Sequence, residues 1–386
     1  MRRSPGRRPR ATLWAALGCA AAVATVFAQA PTPREQPADP AAKLFLDADS
    51  KRANCGTADA IGNYQSVAAQ YPASPWAARA VLEASRCLVM QGQWALAMRQ
   101  MQDVRQRFPK TPEAERALER NTILQRLRLR PSGQSVFRYA RTAVTGSTAG
   151  VQRVLAVAVD SQNRVYVAMR KSVVAFGNTG AYEMTIPVTE FRGLAISGDV
   201  PMVFEEHGMH SANSPLVPIR ILDQNRERDA DVQAAAFVNR ETFVVADRRT
   251  RAIHRLSASG AYASPVAPLD VSRIAVGPVG QIAAIERETM AVVRIDSDGT
   301  PRRVPAQATG YQLRAPVDLA FDPLGHLYVL DRDSVVVFAP TGEFLSVFSP
   351  GTTAAGAFRL GVALAVDASA RLFIYDEDSE RLQVYQ

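Results

Sequence analysis

The sequence is poor in the residues and motifs that mark most enzyme centres. Its 386 residues include only four histidines and three cysteines. It has no phosphate-binding G-x-x-x-x-G-K-[ST] loop, no G-x-S-x-G nucleophile turn, no C-x-x-C pair and no G-x-G-x-x-G dinucleotide fingerprint. The sequence therefore carries no signature of nucleotide-dependent enzymes, α/β-hydrolases or dithiol oxidoreductases, and it predicts no catalytic residue.

The first thirty residues contain no acidic residue and have the pattern of an export signal. Five arginines precede an apolar run over 11–28, and small residues end it at Ala28-Gln29-Ala30. This pattern predicts a secretory signal peptide over 1–30, cleaved after Ala28 or Ala30, and hence a protein of the periplasm, cell envelope or exterior. Two alternatives stay open: lipidation at Cys19, and an uncleaved membrane anchor, because the apolar run is just long enough to span a bilayer.

Most of the positive charge lies in that signal. The formal net charge is +8, and removing five arginines leaves 8 − 5 = +3 for the mature chain. Such a small charge gives no reason to expect a nucleic-acid partner. The remaining basic concentration is interpreted as a solvated helix face, with an anionic partner or membrane surface as the alternative. It comprises Arg116, Arg120, Arg126, Arg128 and Arg130.

Only two cysteines, Cys55 and Cys87, remain after export. An even pair in an oxidising compartment favours a disulfide between them. The alternative is that they are two small buried helix residues that never meet.

Residues 31–40 are rich in proline and polar residues and predict a disordered tether. From 41 to 131 the hydrophobic period is helical. A segment at 71–75 (YPASP) returns at 108–112 (FPKTP), 37 residues later. In each copy the first proline ends a helix, the Ser or Thr caps the next one, and the second proline lies in its first turn.

These copies resemble tetratricopeptide repeats, in the form found in bacterial envelope proteins. The resemblance covers two units with a flanking helix on each side. It implies an all-α helical-repeat domain that holds peptide segments in a concave groove. Two units bury little on their own, so we expect them to pack on a partner surface, with the rest of the chain as one candidate.

The C-terminal part repeats a unit in which an alanine is followed eleven positions later by an acidic residue. Five units follow this rule and Ala158/Met169 departs from it. The others are Ala195/Glu206, Ala236/Asp247, Ala275/Glu286, Ala320/Asp331 and Ala365/Asp376. The alanines are 37, 41, 39, 45 and 45 residues apart, a period typical of β-propeller blades. The sequence thus predicts an all-β, six-bladed propeller over 132–386.

Within each unit, four short apolar runs are separated by turn residues, as expected for four antiparallel strands. The segments FDPLGHLYVLD, AVDASARLFIYD and AVDSQNRVYVAM resemble NHL repeats, which implies a six-bladed propeller that binds proteins or other polymers on one face. The sixth unit has only three strands. We therefore expect residues 135–140 (SVFRYA) to close the ring as its outer strand.

The acidic residues at position eleven lie where each second strand ends, so symmetry places Glu206, Asp247, Glu286, Asp331 and Asp376 near one face, around the channel. They are either a ring for a cation or basic ligand, or caps on backbone N–H groups of their own turns. Repetition in nearly every blade favours caps. The inner strands carry Ala, Val, Leu and Phe, so we expect an apolar axis.

A long insertion between the second strand of the second unit and an expected third strand at 219–222 carries two of the four histidines. His207 and His210, with Glu206, have side chains that suit a divalent metal such as zinc or calcium, although a polar surface loop is the simpler interpretation. His254 falls in a third strand and His326 in a turn on the opposite face. A symmetric histidine cage of the kind that some propeller lyases use is therefore not expected.

Together these patterns predict a non-enzymatic exported scaffold or adaptor without a cofactor. Its expected partner is an envelope protein or a cell-wall polymer, and it would meet a membrane only through the signal segment or Cys19. The alternative is a metal-dependent propeller hydrolase, lactonase or lyase with ligands on the inner strands.

Overall fold

Five helices precede a series of β-strands in the computed structural model, which describes residues 39–51, 55, 58–130, 134–146, 150–305, 307–308, 311–351 and 355–386. The predicted signal at 1–30, Cys19 within it and residues 31–38 of the predicted tether lie outside this part of the chain. The helices are α1 (Pro40–Ser50), α2 (Ala58–Gln70), α3 (Pro75–Met90), α4 (Trp94–Arg107) and α5 (Pro112–Arg128). None of the described helices is long and apolar enough to cross a bilayer.

The two repeated proline segments begin α3 and α5 as the sequence predicts. The Ser74 hydroxyl accepts a hydrogen bond from the Trp76 N–H at 3.2 Å, and the Thr111 hydroxyl accepts one from the Ala114 N–H at 3.2 Å. Each helix has proline in its first turn, where a missing N–H costs nothing. Gly92 turns the chain between α3 and α4 with a positive φ of 78°.

A disulfide joins Cys55 to Cys87, with 4.6 Å between their Cα atoms. It ties the segment between α1 and α2 to the last turn of α3. Helix α3 packs against α2, α4 and α5 and is buried along most of its length. The helices therefore form one layer organised around α3.

Six four-stranded antiparallel sheets follow, arranged as the blades of a propeller. The strand β1 (Tyr139–Thr145) belongs to the last blade. Blade one has β2 (Ala156–Val159), β3 (Val165–Ala168), β4 (Ser172–Phe176) and β5 (Tyr182–Pro187); blade two has β6 (Phe191–Ser197), β7 (Val200–Glu205), β8 (Gly208–His210) and β9 (Val217–Pro218). After a hairpin of β10 (Arg220–Asp223) and β11 (Arg226–Asp229), blade three has β12 (Val232–Phe237), β13 (Thr242–Asp247), β14 (Ala252–Ser257) and β15 (Tyr262–Ala267).

The remaining blades repeat the pattern. Blade four has β16 (Val271–Val276), β17 (Ile282–Glu286), β18 (Val292–Ile295) and β19 (Pro301–Arg303), and is followed by the short pair β20 (Gln307–Ala308) and β21 (Tyr311–Gln312). Blade five has β22 (Asp318–Phe321), β23 (Leu327–Asp331), β24 (Ser334–Phe338) and β25 (Phe344–Phe348); blade six has β26 (Gly361–Val366), β27 (Leu372–Asp376) and β28 (Arg381–Tyr385).

The first strands of the six blades surround the axis. Each one contacts the first strand of the next blade, and the circle from β2 through β6, β12, β16, β22 and β26 returns to β2. The predicted six-bladed propeller is therefore present and closed.

Ring closure uses the predicted mechanism, but the predicted bounds were wrong. The outer strand of blade six is β1, which pairs antiparallel with β28 and overlaps the predicted segment 135–140 only at Tyr139 and Ala140. Phe137 leaves the sheet and packs in the core shared with the helices, against Tyr328 and Phe348. The apolar alternation around Phe137 thus reflects contact with the helices, and the strand begins after it.

The insertion in blade two is also placed differently from the prediction. The third strand, β8, follows Glu206 and His207 almost at once, and residues 219–222, predicted to form it, belong to the connection to blade three. The added segment there is the hairpin of β10 and β11. Its turn residues Gln224 and Asn225 both have positive φ, as a tight hairpin turn requires.

The helices pack on the propeller face that carries the turns between first and second strands. Apolar turn residues of blades four to six, Val279, Leu324 and Ala370, belong to the same core as the helices. At the end of α5, Arg126 donates to the Ala370 carbonyl at 2.8 Å and lies over the Phe137 ring at 4.6 Å. We call this the helix face, and the opposite one, where first strands begin and second strands end, the channel face.

The basic residues of α5 therefore do not form the solvated face that the sequence suggested. Arg120 is buried and 3.5 Å from Glu83, and burial lowers its pKa to about 10. Arg128 pairs with Glu343 of blade five at 2.9 Å. Part of this basic stripe is thus used inside the helical layer and part in docking it on the propeller.

Candidate ligand-binding face of the propeller

The three aspartates at position eleven are buried on the channel face and cap backbone N–H groups. Asp331 accepts from the Arg314 N–H at 2.9 Å, and Asp376 accepts from the Leu360 N–H at 2.8 Å. Each carboxylate thereby connects the end of a second strand to the segment that enters its blade. This matches the structural interpretation of the repeated acid.

Asp247 has the most complete set of such contacts. It accepts from the Asp231 N–H at 2.6 Å and the Thr250 N–H at 2.7 Å, and Arg228 lies 3.0 Å away. Burial opposes its ionisation, but the hydrogen bonds from Thr250 and Asp231 outweigh burial and lower its pKa. This carboxylate is held as a charged cap.

The two glutamates of the predicted ring are paired with arginines instead. Glu206 lies 3.6 Å from Arg192, and Glu286 lies 3.2 Å from Arg303. The five acids share one face as predicted, but all are engaged within the protein.

Glu206, His207 and His210 do not converge on a common point. The Nδ1 atom of His207 lies 2.6 Å from the Ala230 carbonyl oxygen, while Nε2 of His210 lies 3.3 Å from Glu205. Within the described ranges, no group of three or more His, Cys, Asp or Glu side chains is arranged to hold a metal ion. His207 thus contacts the connection to blade three, whereas His210 lies in β8 beside Glu205.

The axis is not apolar, and that expectation was wrong. A cavity of about 240 Å³ lies among the first strands and is lined on one side by Arg192, Gln233, Arg273 and Asp318. These four residues come from blades two, three, four and five in order, so they form a continuous polar arc. Blades one and six line the other side with Leu155, Ala156, Val157 and Leu364.

Arg192 and Gln233 lie at irregularities in the inner strands, whereas Asp318 lies in a regularly paired one. Strand pairing shifts register between Phe191 and Gly193, where Arg192 lies, and again around Gln233. A bulge redirects a side chain that regular alternation would place elsewhere. The sequence analysis missed these residues because it considered only the overall apolar character of each inner strand. The signal that could have found them is a polar residue two or three positions before the repeat alanine.

Two members of the arc have unused donor capacity. Arg192 pairs with Glu190 at 2.6 Å through Nη2, but its buried Nε has no hydrogen-bond partner among the described residues. Gln233 likewise makes no side-chain hydrogen bond within the described part of the protein.

Asp318 and Arg273 face each other loosely across the arc. Asp318 accepts from the Leu364 N–H at 2.8 Å, and Nε of Arg273 is 3.9 Å from its carboxylate. Burial raises the pKa of Asp318 despite these contacts. The carboxylate is thus committed to backbone, whereas Arg273 keeps most of its donors.

Around the cavity, the residue directly after position eleven is basic in four blades. We call these exposed residues the arginine collar: Arg170, Arg248, Arg287 and Arg332. Arg248 and Arg287 pair with Asp231 and Asp270, at 3.2 and 3.0 Å. Arg170 and Arg332 have no ion pair among the described residues. This repeat is visible in the sequence, one position after the acid at position eleven.

Comparison with known proteins shows the fold alone. No protein-family model and no curated protein matches the sequence. Among solved structures, a protein of unknown function from Bacteroides thetaiotaomicron is 13% identical, with 64% of this chain and 75% of that chain covered and a TM-score of 0.50.

Two other solved structures are similar at lower scores. XC5397 of Xanthomonas campestris, described as a gluconolactonase, is 14% identical over 67% of this chain and 98% of its own, with a TM-score of 0.48. An auxiliary nutrient binding protein from Bacteroides ovatus is 13% identical over 61% of this chain and 69% of its own, with a TM-score of 0.46. Such low identities carry no information about the ligand of this chain.

Proposed function

We propose that this protein is a non-enzymatic, exported binding or adaptor protein that presents the channel face to an anionic partner in the cell envelope. The partner is an envelope protein or a cell-wall polymer. In this proposal the helices are a tetratricopeptide-type repeat that supports NHL-type blades. The arginine collar is the observation that carries it.

The charge distribution supports this choice of face and partner. The position-eleven acids of the channel face are engaged as caps or in ion pairs, whereas the collar arginines are exposed. Arginine presents a planar fork of donors that binds carboxylate or phosphate groups in pairs. The helix face is partly covered by the protein's own helices, whereas the collar arginines on the channel face are exposed.

A charge-reversal experiment tests the proposal. Arg170→Glu/Arg332→Glu changes two collar residues that make no ion pair in the described structure. Arg240→Glu is the matched control, an exposed arginine in a first-to-second-strand turn on the other face. Crosslinking in the native envelope identifies a protein partner, and polygalacturonate with neutral dextran as control probes a carboxylated polymer.

We expect the double variant to lose about tenfold or more of its binding to the acidic partner or probe, and the parent to lose binding as salt rises. Arg240→Glu should bind as the parent does. Equal binding by the double variant and the parent would contradict the proposal.

The metal-dependent alternative makes a different prediction. If Glu206, His207 and His210 held zinc or calcium, purified protein would contain about one equivalent of metal that Glu206→Gln/His207→Ala removes. We expect no stoichiometric metal in either protein, measured by inductively coupled plasma mass spectrometry. One equivalent in the parent, absent from the variant, would favour the alternative.

A further inference from the structure

The axial cavity is divided into a polar half and an apolar half. Blades two to five contribute all four polar residues, Arg192, Gln233, Arg273 and Asp318, beside apolar residues of their own, whereas blades one and six contribute only apolar residues. A propeller with equivalent blades would have no such division. The asymmetry therefore points to a ligand with two chemically different ends.

The polar half offers donors that the protein does not use. Nε of Arg192 is buried without a hydrogen-bond partner in the described structure, and a buried donor left unpaired is costly unless a ligand satisfies it. The acids that pair with Arg192, Glu190 and Glu206, do not line the cavity. Two guanidinium groups and one amide thus face the space, with Asp318 as the single carboxylate.

The opposite half suits a hydrocarbon group. Leu155 and Val157 of blade one and Leu364 of blade six line the part of the cavity that the four polar residues do not. The volume of about 240 Å³ corresponds to about eight water-sized groups, at about 30 Å³ each in the liquid. This is below the volume of most drug-sized sites and matches one short acid or one residue at the end of a chain.

We propose that the channel binds a small aliphatic carboxylate, with its carboxylate between Arg192, Gln233 and Arg273 and its hydrocarbon part against Leu155, Val157 and Leu364. The same chemistry occurs in a free short-chain acid and in the carboxyl-terminal apolar residue of a peptide. The inference rests on the proposed function only in using the channel face for binding.

Calorimetric titration of the full chain with hexanoate tests the inference, and hexanamide is the neutral control of matching length. We expect hexanoate to bind at least about tenfold more tightly than hexanamide, as charge-assisted hydrogen bonds are stronger than neutral ones. Acetyl-Ala-Ala-Leu and its carboxyl-terminal amide form a second pair. If the free-acid peptide binds more tightly than hexanoate, the ligand is the carboxyl-terminal end of a peptide. If hexanoate binds more tightly, the ligand is a free short-chain acid.

Variants locate the site. Arg192→Gln should weaken hexanoate about tenfold or more, and Gln233→Leu, which leaves the charge unchanged, should weaken it severalfold. Leu155→Ala, at an exposed lining position, should shift the preference from hexanoate towards octanoate by enlarging the apolar half. Arg287→Gln, a collar change outside the cavity, should bind hexanoate as the parent does, and equal melting temperatures check the fold of each variant.

Absence of hexanoate binding, equal affinity for hexanamide, or unchanged affinity in both Arg192→Gln and Gln233→Leu would overturn the inference. Capture of the acidic partner by the arginine collar is measured separately. If the protein binds the acidic partner through the collar but does not bind hexanoate, only the cavity ligand is rejected. If it binds hexanoate but not the acidic partner, only the anionic partner is rejected.

Discussion

At the scale of single residues, the carboxylates of the channel face connect chain segments. Asp247, Asp331 and Asp376 each accept backbone N–H groups from the segment entering their blade. Their recurrence could be predicted from the sequence, and so could the capping role, because repetition favours structure over ligand binding. The neighbouring arginines of the cavity could not, since local strand irregularities determine where those side chains point.

Replacing Asp247 with Asn should reduce the free energy of unfolding and make it depend less on pH in the acid range. The pKa of Asp247 is lower in the folded protein than in the unfolded chain, so its stabilisation is complete above about pH 4 and is lost as pH falls through the lower folded value. We expect a loss of about 1–3 kcal/mol at pH 7 and a smaller difference from the parent at pH 3.

Urea denaturation at both pH values measures this effect. Asp333→Asn, at an exposed aspartate near the equivalent turn of blade five, is the control and should change little at pH 7. A loss for Asp247→Asn that is equally large at pH 3 would argue against a charged cap.

At the scale of elements, ring closure depends on β1. Its pairing with β28 completes blade six from opposite ends of the described propeller sequence. The sequence predicted that such a strand must exist, because the last repeat is one strand short. It could not supply the bounds, because Phe137 is buried for a different reason, namely contact with Arg126 and the blade-five aromatics.

Deleting residues 139–145 should destabilise the propeller severely, because the outer edge of β28 would lose its partner strand and the core around it would lose the Val144 side chain. We expect a large fall in melting temperature or an insoluble product. Deleting Gln224 and Asn225, exposed turn residues of the added hairpin, should cost far less. Similar melting temperatures for the two deletions would show that β1 does not close the ring.

Removing the disulfide by Cys55→Ser/Cys87→Ser should lower the free energy of unfolding by about 3–4 kcal/mol, because the bridge closes a loop between residues 32 apart and restricts the unfolded chain. Guanidinium denaturation of the parent with and without reductant provides the comparison. A reduced parent as stable as the oxidised one would contradict the expected contribution.

At the scale of the whole molecule, the helices and blades four to six share one hydrophobic core. The blade count follows from the sequence period, since each repeat must supply one sheet. The docking was harder to predict, because it depends on a few turn residues. Val279 and Leu324 are apolar at a turn position where blade one has Gln162, a difference visible only once the blades are aligned.

A shared core predicts one cooperative unfolding transition for helices and propeller, measured by calorimetry. Arg126→Ala should destabilise both together by about 1–3 kcal/mol, since it removes a cation–π contact and a hydrogen bond across the boundary. Arg126→Lys should restore part of the loss, and Arg116→Ala, at an exposed position, should cost little. Two separate transitions in the parent would contradict a common core.

The order in which the helices and blades are synthesised determines when the propeller can close. The helices and β1 leave the ribosome before the blades on which they rest and before β28, with which β1 pairs. Until those blades are made, the helices and β1 expose apolar surface that has no packing partner. A polypeptide interrupted before residues 381–385 would have most of its blades but would lack β28, so β1 could not pair and the ring could not close.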